Sequence, residues 1–233
     1  VRDVIPMVYY HVWDNHPAPM FNKKWYESND VIACISKLTY DVVGEVAPDV
    51  ERHYLPHAAD SNVFYKKTPE EVVDLKKQCF GTDDKRLTFF WNNRNARRKM
   101  TGSVLWWFNE FAEDVGPENV RLIMHTDPKD KNGQDLIQLM SDLDADDGRI
   151  QISREKISPE ALAAIYNAVD CTINISDAEG FGLATLESLT CGTPVIVNMT
   201  GGLQEQVTDG KEFFGIGLEP TSKAVIGSQQ VPY

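Results

Sequence analysis

Between Arg86 and Val197 the chain alternates short apolar runs with amphipathic stretches, and this alternation constrains the fold more than any other feature. Leu87-Thr-Phe-Phe-Trp91 reads as a strand, followed by an apolar-periodic stretch from Met100 to Phe111. Val120-Arg-Leu-Ile-Met124 is a second strand, and Asp135 to Leu143 a second helix. Arg149-Ile-Gln-Ile152 leads to a helix that Ser158 opens as N-cap, with Pro159 at the first helical position. Cys171-Thr-Ile-Asn-Ile175 is the next strand; Gly182 to Cys191 is a helix closed by Gly192, and Thr193-Pro-Val-Ile-Val197 is the last clear strand. Such alternation predicts an α/β fold: a parallel sheet covered on both faces, binding ligand at the carboxyl ends of its strands.

Residues 1–56 repeat the style less completely. They offer a strand near Val4 to Val12, a polar loop Asp14-Asn-His-Pro-Ala-Pro19, and a strand at Val31 to Ile35. Two parallel strands do not make a stable domain, so this part reads as the end of a second domain. Residues 57–85 read as a connector carrying a charged helix from Pro69 to Cys79, and 86–233 as the larger unit. The chain starts at Val1 on strand-like material and stops in Ser228-Gln-Gln-Val-Pro-Tyr233 without a closing helix, so both ends are expected to be cut.

Charge narrows the partners. Lys and Arg total 23 against 35 Asp and Glu, a net charge of -12, which opposes binding to nucleic acid or an anionic membrane surface. No apolar run approaches the roughly 20 residues of a spanning helix. Cys34, Cys79, Cys171 and Cys191 form no C-x-x-C pair and read as free buried thiols in a reducing cytosol. Two glycosylation sequons, at Asn174 and Asn198, fall in or just after buried strands and so argue slightly against secretion. The expected location is cytoplasmic.

The most specific segment is Ser176-Asp-Ala-Glu179-Gly-Phe-Gly-Leu-Ala-Thr-Leu-Glu187-Ser-Leu-Thr-Cys-Gly-Thr-Pro-Val195. A strand ends in a glycine turn and a helix begins near Gly182, so free backbone N–H groups and the helix dipole favour a phosphate there. Gly180 and Gly182 allow close backbone approach. If the intervening run is mostly helical, Glu179 and Glu187 lie on the order of 10 Å apart. A retaining glycosidase places its carboxylates about 5 to 5.5 Å apart, so this pair suits two ends of one long ligand better than one scissile bond. A nucleotide sugar has that shape. The plainer alternative is that Glu179 complements the helix dipole and Glu187 is a solvated helix residue.

Asp170 to Val207 resembles the Glu-x7-Glu signature of the retaining glycosyltransferases of family 4, continuing through Cys191-Gly-Thr-Pro-Val195 and Gly201-Gly-Leu-Gln-Glu205. Asn29 to Ser36 resembles that family's last N-domain strand, and Leu55-Pro-His-Ala-Ala-Asp60 with Phe64 its inter-domain segment, with His57-Ala58 where Asn-Gly is usual. The resemblance implies the GT-B fold, two Rossmann-like domains, here with a donor domain over 86–233 and the end of the acceptor domain over 1–56. It implies that Glu179 contacts the donor sugar, Glu187 the ribose hydroxyls, and the amides of Gly180, Phe181, Gly182 and Leu183 the sugar and phosphates.

The family also places an Arg and a Lys after the first C-domain strand to hold the pyrophosphate. Trp91-Asn-Asn-Arg94-Asn-Ala-Arg97-Arg98-Lys99 stands at that point; Arg94 and Lys99 match best, and Arg97 or Arg98 could substitute. Asn93 and Met100 replace the family's usual glycines. Fixed cations stabilise the charge that a leaving nucleoside diphosphate gains, without needing a metal; a solvated basic turn is the alternative. The base is expected to be read largely by backbone near Ser153 to Lys156, with Arg154 and Lys156 beside it. His11 is expected to face the cleft. His53 and His57 are spaced i, i+4, but Pro56 intervenes, so no metal is expected there, and Asp142 to Gly148 reads as a solvated turn rather than a calcium loop.

The sequence therefore reads as a retaining, metal-independent hexosyltransferase without a cofactor. It would move a sugar from a UDP-, GDP- or ADP-linked donor to a glycan or lipid-linked acceptor. The alternatives are a catalytically silent nucleotide-binding fragment and a sugar epimerase of the same fold, which would not be expected to carry the Glu179 to Glu187 motif.

Overall fold

A computed structural model describes residues 4–15, 17–82 and 84–221, with the backbone of 225–226 and 231–232. The expectation of no closing helix over Ser228 to Tyr233 lies largely outside the described residues. In chain order the elements are β1 (Val8–His11), α1 (Lys23–Glu27), β2 (Val31–Cys34), α2 (Lys37–Val46), β3 (Glu51–Tyr54), α3 (Pro69–Phe80), β4 (Leu87–Asn92), α4 (Thr101–Val115) and β5 (Val120–His125). They continue with α5 (Leu136–Asp142), β6 (Ile150–Ser153), α6 (Pro159–Ala168), β7 (Cys171–Asn174), α7 (Leu183–Thr190), β8 (Val195–Asn198), α8 (Gln204–Val207) and β9 (Ile216–Leu218).

Among the described residues the strands make two parallel sheets, one ordered β1-β2-β3 and one ordered β6-β5-β4-β7-β8-β9, beside a two-residue antiparallel pair at 225–226 and 231–232. The larger order begins at β4, runs outward to β6, returns to β7 beside β4, and runs outward again to β9. This is the doubly wound order, and its direction reverses between β4 and β7, where the loops that follow the two strands part and leave a crevice.

The β4 run shows why the sheet is buried on both faces. Phe89 and Trp91 point into a core with Leu105 and Phe108 of α4, Leu122 and Met124 of β5 and Leu136 of α5. Phe90 points the other way, into a cluster with Phe64, Ala163, Tyr166 and Cys191. A strand covered on both sides carries no polar alternation. Local signals also set the helix starts: Thr68 and Glu71 close a capping box ahead of α3, and the Ser158 side chain accepts from the Ala161 N–H ahead of α6, with Pro159 at the first helical position as expected.

The structure adds elements to the sequence reading. The first sheet has a third strand, β3, whose Glu-Arg-His-Tyr run lies mostly exposed at an edge and so lacks apolar alternation. Helix α2 is capped by Ser36 and buries Thr39, Val42, Val43 and Val46, a helical spacing present in the sequence. Edge strand β9 is only three residues long and contains Gly217. Two of the four thiols depart from the buried expectation, since Cys79 is exposed and Cys171 half-buried, whereas Cys34 and Cys191 are buried with burial pushing their thiols up to about 11.

His11 corrects another expectation. Its ring lies inside the first lobe, 4% exposed, with Nε2 bonded to the Tyr26 hydroxyl at 2.7 Å, and it does not line the cleft. Its Nδ1 is buried without a hydrogen-bond partner among the described residues, and burial depresses the imidazole to about 4. The neutral form is thus the native one, and the unfolded chain takes up a proton near pH 6.5 that the folded chain refuses until about pH 4. Stability from this site is lost as pH falls through that window. Urea unfolding of the native chain and of His11→Gln between pH 7 and pH 4 is expected to show the native chain losing up to about 3 kcal/mol more; parallel profiles would contradict the assignment.

Candidate functional site

A cleft of about 370 Å³ opens where β4 and β7 end, with Val12, Asp14 and Ile35 of the first lobe forming its opposite wall. Strand β4 runs into the basic segment and β7 into the glycine turn, so the doubly wound order itself brings the two motifs together.

The basic segment divides its side chains. Lys99, 7% exposed, forms a close ion pair with Glu179 Oε2. Burial pulls the Lys99 ammonium down and the Glu179 carboxylate opposes that shift. Arg98 donates to the Ala178 carbonyl at 2.6 Å and lies 4.0 Å from Glu179 Oε1 and 3.9 Å from Asp14 Oδ2. Arg94 lines the same cleft with its guanidinium forked onto Asp130, at 2.6 and 3.2 Å. Arg97 turns away and pairs with Asp177 at 2.9 Å. Met100 takes φ +55°, the left-handed conformation that explains why glycine is usual at this position.

The glycine turn is held from behind. Gly182, at φ +94°, precedes α7, and no side chain among the described residues caps that helix, leaving its first N–H groups facing the cleft. The Gly202 N–H donates to the Glu179 carbonyl at 2.8 Å, the Thr200 hydroxyl to the Asp177 carbonyl at 2.9 Å, and the Gln206 amide to the carbonyls of Phe181 and Gly182. Gly201 sits at φ +51° so close that a Cβ there would meet the Glu179 carbonyl oxygen at 1.9 Å. The Gly201-Gly-Leu-Gln segment is therefore the rear support of the turn. Asn174, the first sequon residue, is buried beneath it and donates to the Thr185 hydroxyl at 3.3 Å.

The remaining expected residues are placed as follows. Glu179, Gly180, Phe181, Gly182 and Leu183 line the cleft. Glu187, one helical turn further on, is half-buried and accepts from the Tyr166 hydroxyl at 3.1 Å; burial raises its carboxyl and the tyrosine hydrogen bond opposes the rise. Arg154 and Lys156 are exposed beyond β6 and are not among the residues lining the cleft. Two strands separate them from the switch point. His53 is exposed on β3 and bonds Glu51 at 2.8 Å, whereas His57 lies in the cleft, its Nδ1 3.2 Å from the Tyr10 hydroxyl and its ring edge-on to Phe181. Of Asp142 to Gly148, Asp142 ends α5 and the rest is mostly turn, with Asp147 paired with Arg149.

Sequence reasoning missed Asp14, Asn92 and Asn93 as cleft residues. Each lies at or just past the carboxyl end of a parallel strand, the place where ligand groups concentrate. Burial raises the Asp14 carboxyl, while Arg98 opposes the shift and Glu179 reinforces it. A larger hollow of about 820 Å³ opens at the amino ends of β4 to β6, but both of its arginines are already matched, Arg86 with Asp84 and Arg149 with Asp147. The switch-point cleft brings Arg94, Arg98 and Lys99 to an uncapped helix end, an arrangement whose chemistry suits an anion.

Architecture and site together define a GT-B glycosyltransferase-like fold. Residues 152–226 match the family model described as Glycosyl transferases group 1. Over 181 residues, 77% of this chain, the sequence is 27% identical to the alpha-monoglucosyldiacylglycerol synthase of Streptococcus pneumoniae, of which the match spans 40%. Among solved structures, the sucrose-phosphate synthase of Thermosynechococcus elongatus superposes with TM-score 0.72 at 22% identity, covering 87% of this chain and 48% of that one. Anabaena HepE, solved in complex with UDP and glucose, superposes with TM-score 0.68 at 18% identity, covering 92% and 58%. The chain thus spans less than half of the first two and somewhat over half of the third. Among the described residues no helix is long and apolar enough to cross a membrane.

Substitution at the rear support tests this geometry. Gly201→Ala combines a left-handed backbone with a blocked Cβ and is expected to cost about 2–4 kcal/mol. Gly210→Ala, at φ +89° with no atom within 4 Å of the added Cβ, is expected to cost about 1 kcal/mol. Equal losses in chemical denaturation would show that the turn does not rest on Gly201.

Proposed function

We propose that this chain carries the donor site of a retaining glycosyltransferase of family 4, which moves a hexosyl group from a nucleoside diphosphate to an acceptor hydroxyl. The observation that carries this reading is the convergence of Lys99 and Arg98 with Glu179 on the uncapped start of α7 at the switch point. In it, residues 86–233 bind the nucleotide sugar, 1–56 belong to the acceptor-side lobe, and 57–85 connect them. UDP in HepE supports a uridine donor, with GDP or ADP as the competing choices; the acceptor is a glycan or lipid-linked hydroxyl, and the setting is the cytoplasm.

Each residue then has a task. The α7 amides at Leu183 and Ala184, Lys99 and Arg98 take the diphosphate, and Arg94, earlier on the same basic segment, reaches it with the nitrogen that Asp130 leaves free. Glu179 and the backbone of Gly180 and Phe181 hold the sugar, and Glu187 accepts from the ribose hydroxyls. Arg154 and Lys156 are proposed only as contacts to the outer edge of the base. In the transfer step the bond from the anomeric carbon to the phosphate oxygen breaks and a bond to the acceptor oxygen forms, while the acceptor proton passes to the leaving phosphate. Glu179, tied to Lys99 and crowded by Arg98, is a poor nucleophile, which favours same-face departure and attack and hence retention. The cations are supplied by the protein, so no metal and no cofactor are invoked.

Calorimetric titration with UDP, GDP and ADP checks the donor site. One diphosphate is expected to bind with an affinity unchanged by EDTA, and Glu187→Ala to weaken it about tenfold to a hundredfold, the loss of a charge-assisted hydrogen bond. Affinity unchanged by Glu187→Ala in a folded protein would remove the ribose assignment, and strong loss on chelation would assign the charge to a metal. In a chain that also supplies the acceptor side, NMR of the product is expected to show the donor's anomeric configuration; an inverted product refutes the proposed mechanism.

A further inference from the structure

Tyr166 lies at the end of α6, wholly buried, and its ring packs edge-on against Phe90 at 5.4 Å between centroids. Packing alone would be served by phenylalanine. The hydroxyl, however, sits between two polar groups from different elements. It receives a hydrogen bond from the Asn92 side-chain amide at 3.0 Å and stands 3.1 Å from Glu187 Oε2. An amide NH₂ can only donate and a phenol has one proton, so with Asn92 donating, the Tyr166 proton goes to Glu187. The direction runs from Asn92 through Tyr166 to the carboxylate, from the cleft-lining end of β4 to Glu187 in the middle of α7, which is not among the residues lining the cleft.

This chain of bonds has a consequence for Glu187. Burial favours its neutral form, and a protonated carboxyl would offer a donor where a sugar hydroxyl needs an acceptor. The hydrogen bond from Tyr166 favours the ionised form and fixes one oxygen, leaving Oε1 to accept from a ligand. The peptide chain holds Tyr166 in turn, since the Thr193 hydroxyl donates to its carbonyl at 2.6 Å.

We propose that Tyr166 is a positioning residue for the nucleoside end of the donor site: it keeps Glu187 an oriented acceptor and thereby makes the site distinguish ribose from deoxyribose. This rests on the assignment of Glu187 to the ribose. The role belongs to the hydroxyl alone, which separates it from the packing role of the ring.

The test is calorimetric titration of the folded native chain, Tyr166→Phe and Glu187→Ala, each with UDP and with 2′-deoxy-UDP, GDP and dGDP replacing them if guanosine is the base bound. The native chain is expected to prefer the ribonucleotide. Tyr166→Phe keeps the ring and therefore the fold, with a thermal midpoint lowered by the two hydrogen bonds lost, and it is expected to bind the ribonucleotide about three- to tenfold more weakly with little change for the deoxy form. Glu187→Ala is expected to abolish the preference. If Glu187→Ala abolishes it and Tyr166→Phe keeps the native ratio, the positioning role is overturned while the ribose assignment stands. If the native chain shows no preference, or Glu187→Ala keeps it, the ribose assignment itself fails and the inference with it. A Tyr166→Phe variant weakened equally toward both nucleotides would mean a general packing defect and would also overturn the proposal.

Discussion

The ion pair between Lys99 and Glu179 joins the ends of the two strands at which the sheet reverses its winding, and the site is arranged around it. Such a pair is weak evidence for stability, because removing two charges from water costs about as much as their attraction returns. Its effect is geometric. It fixes the ammonium above the glycine turn and turns one face of Glu179 toward Arg98, so the cleft presents cations on one side and helix amides on the other. Asp14 of the first lobe comes within 3.9 Å of the same arginine and brings the two lobes to one polar centre.

Positioning this pair requires a rigid backbone, and the segment after β8 supplies it. Gly201 and Gly202 lie against the peptide groups of Glu179 to Phe181 at distances that exclude a side chain, and Gln206 accounts for two carbonyls of the turn. The two ends of the long signature are thus one structural unit: the first half presents groups to the cleft and the second half prevents the first from relaxing away. Rigidity of this kind matters for charge stabilisation, since donors already aimed at developing charge need no reorganisation.

Much of this was legible in the sequence, for identifiable reasons. The strands around Phe90, Leu122 and Ile196 carry largely apolar runs because both faces of the sheet are covered, and the helix α6 carries the Ser158-Pro159 cap. The glycine turn was legible because Gly182 takes a backbone conformation that few other residues adopt. Edge strands β3 and β9 were not, since an exposed edge needs no apolar alternation. The division of labour among Arg94, Arg97, Arg98 and Lys99 was also hidden: it depends on where Asp130 and Asp177 fall in space, 36 and 80 residues away. The same holds for His11, whose partner Tyr26 turns it into the lobe, and for Tyr166, which reads as an ordinary core aromatic until Asn92 and Glu187 are seen on either side of its hydroxyl.

The most direct test is a crystal structure of this chain with UDP. The diphosphate is expected within hydrogen-bond distance of the Lys99 ammonium and the amides of Leu183 and Ala184, with the ribose against Glu187. Density for the nucleotide in the hollow between Arg86 and Arg149 at the amino ends of the strands, or a diphosphate held by Arg97 alone, would contradict it.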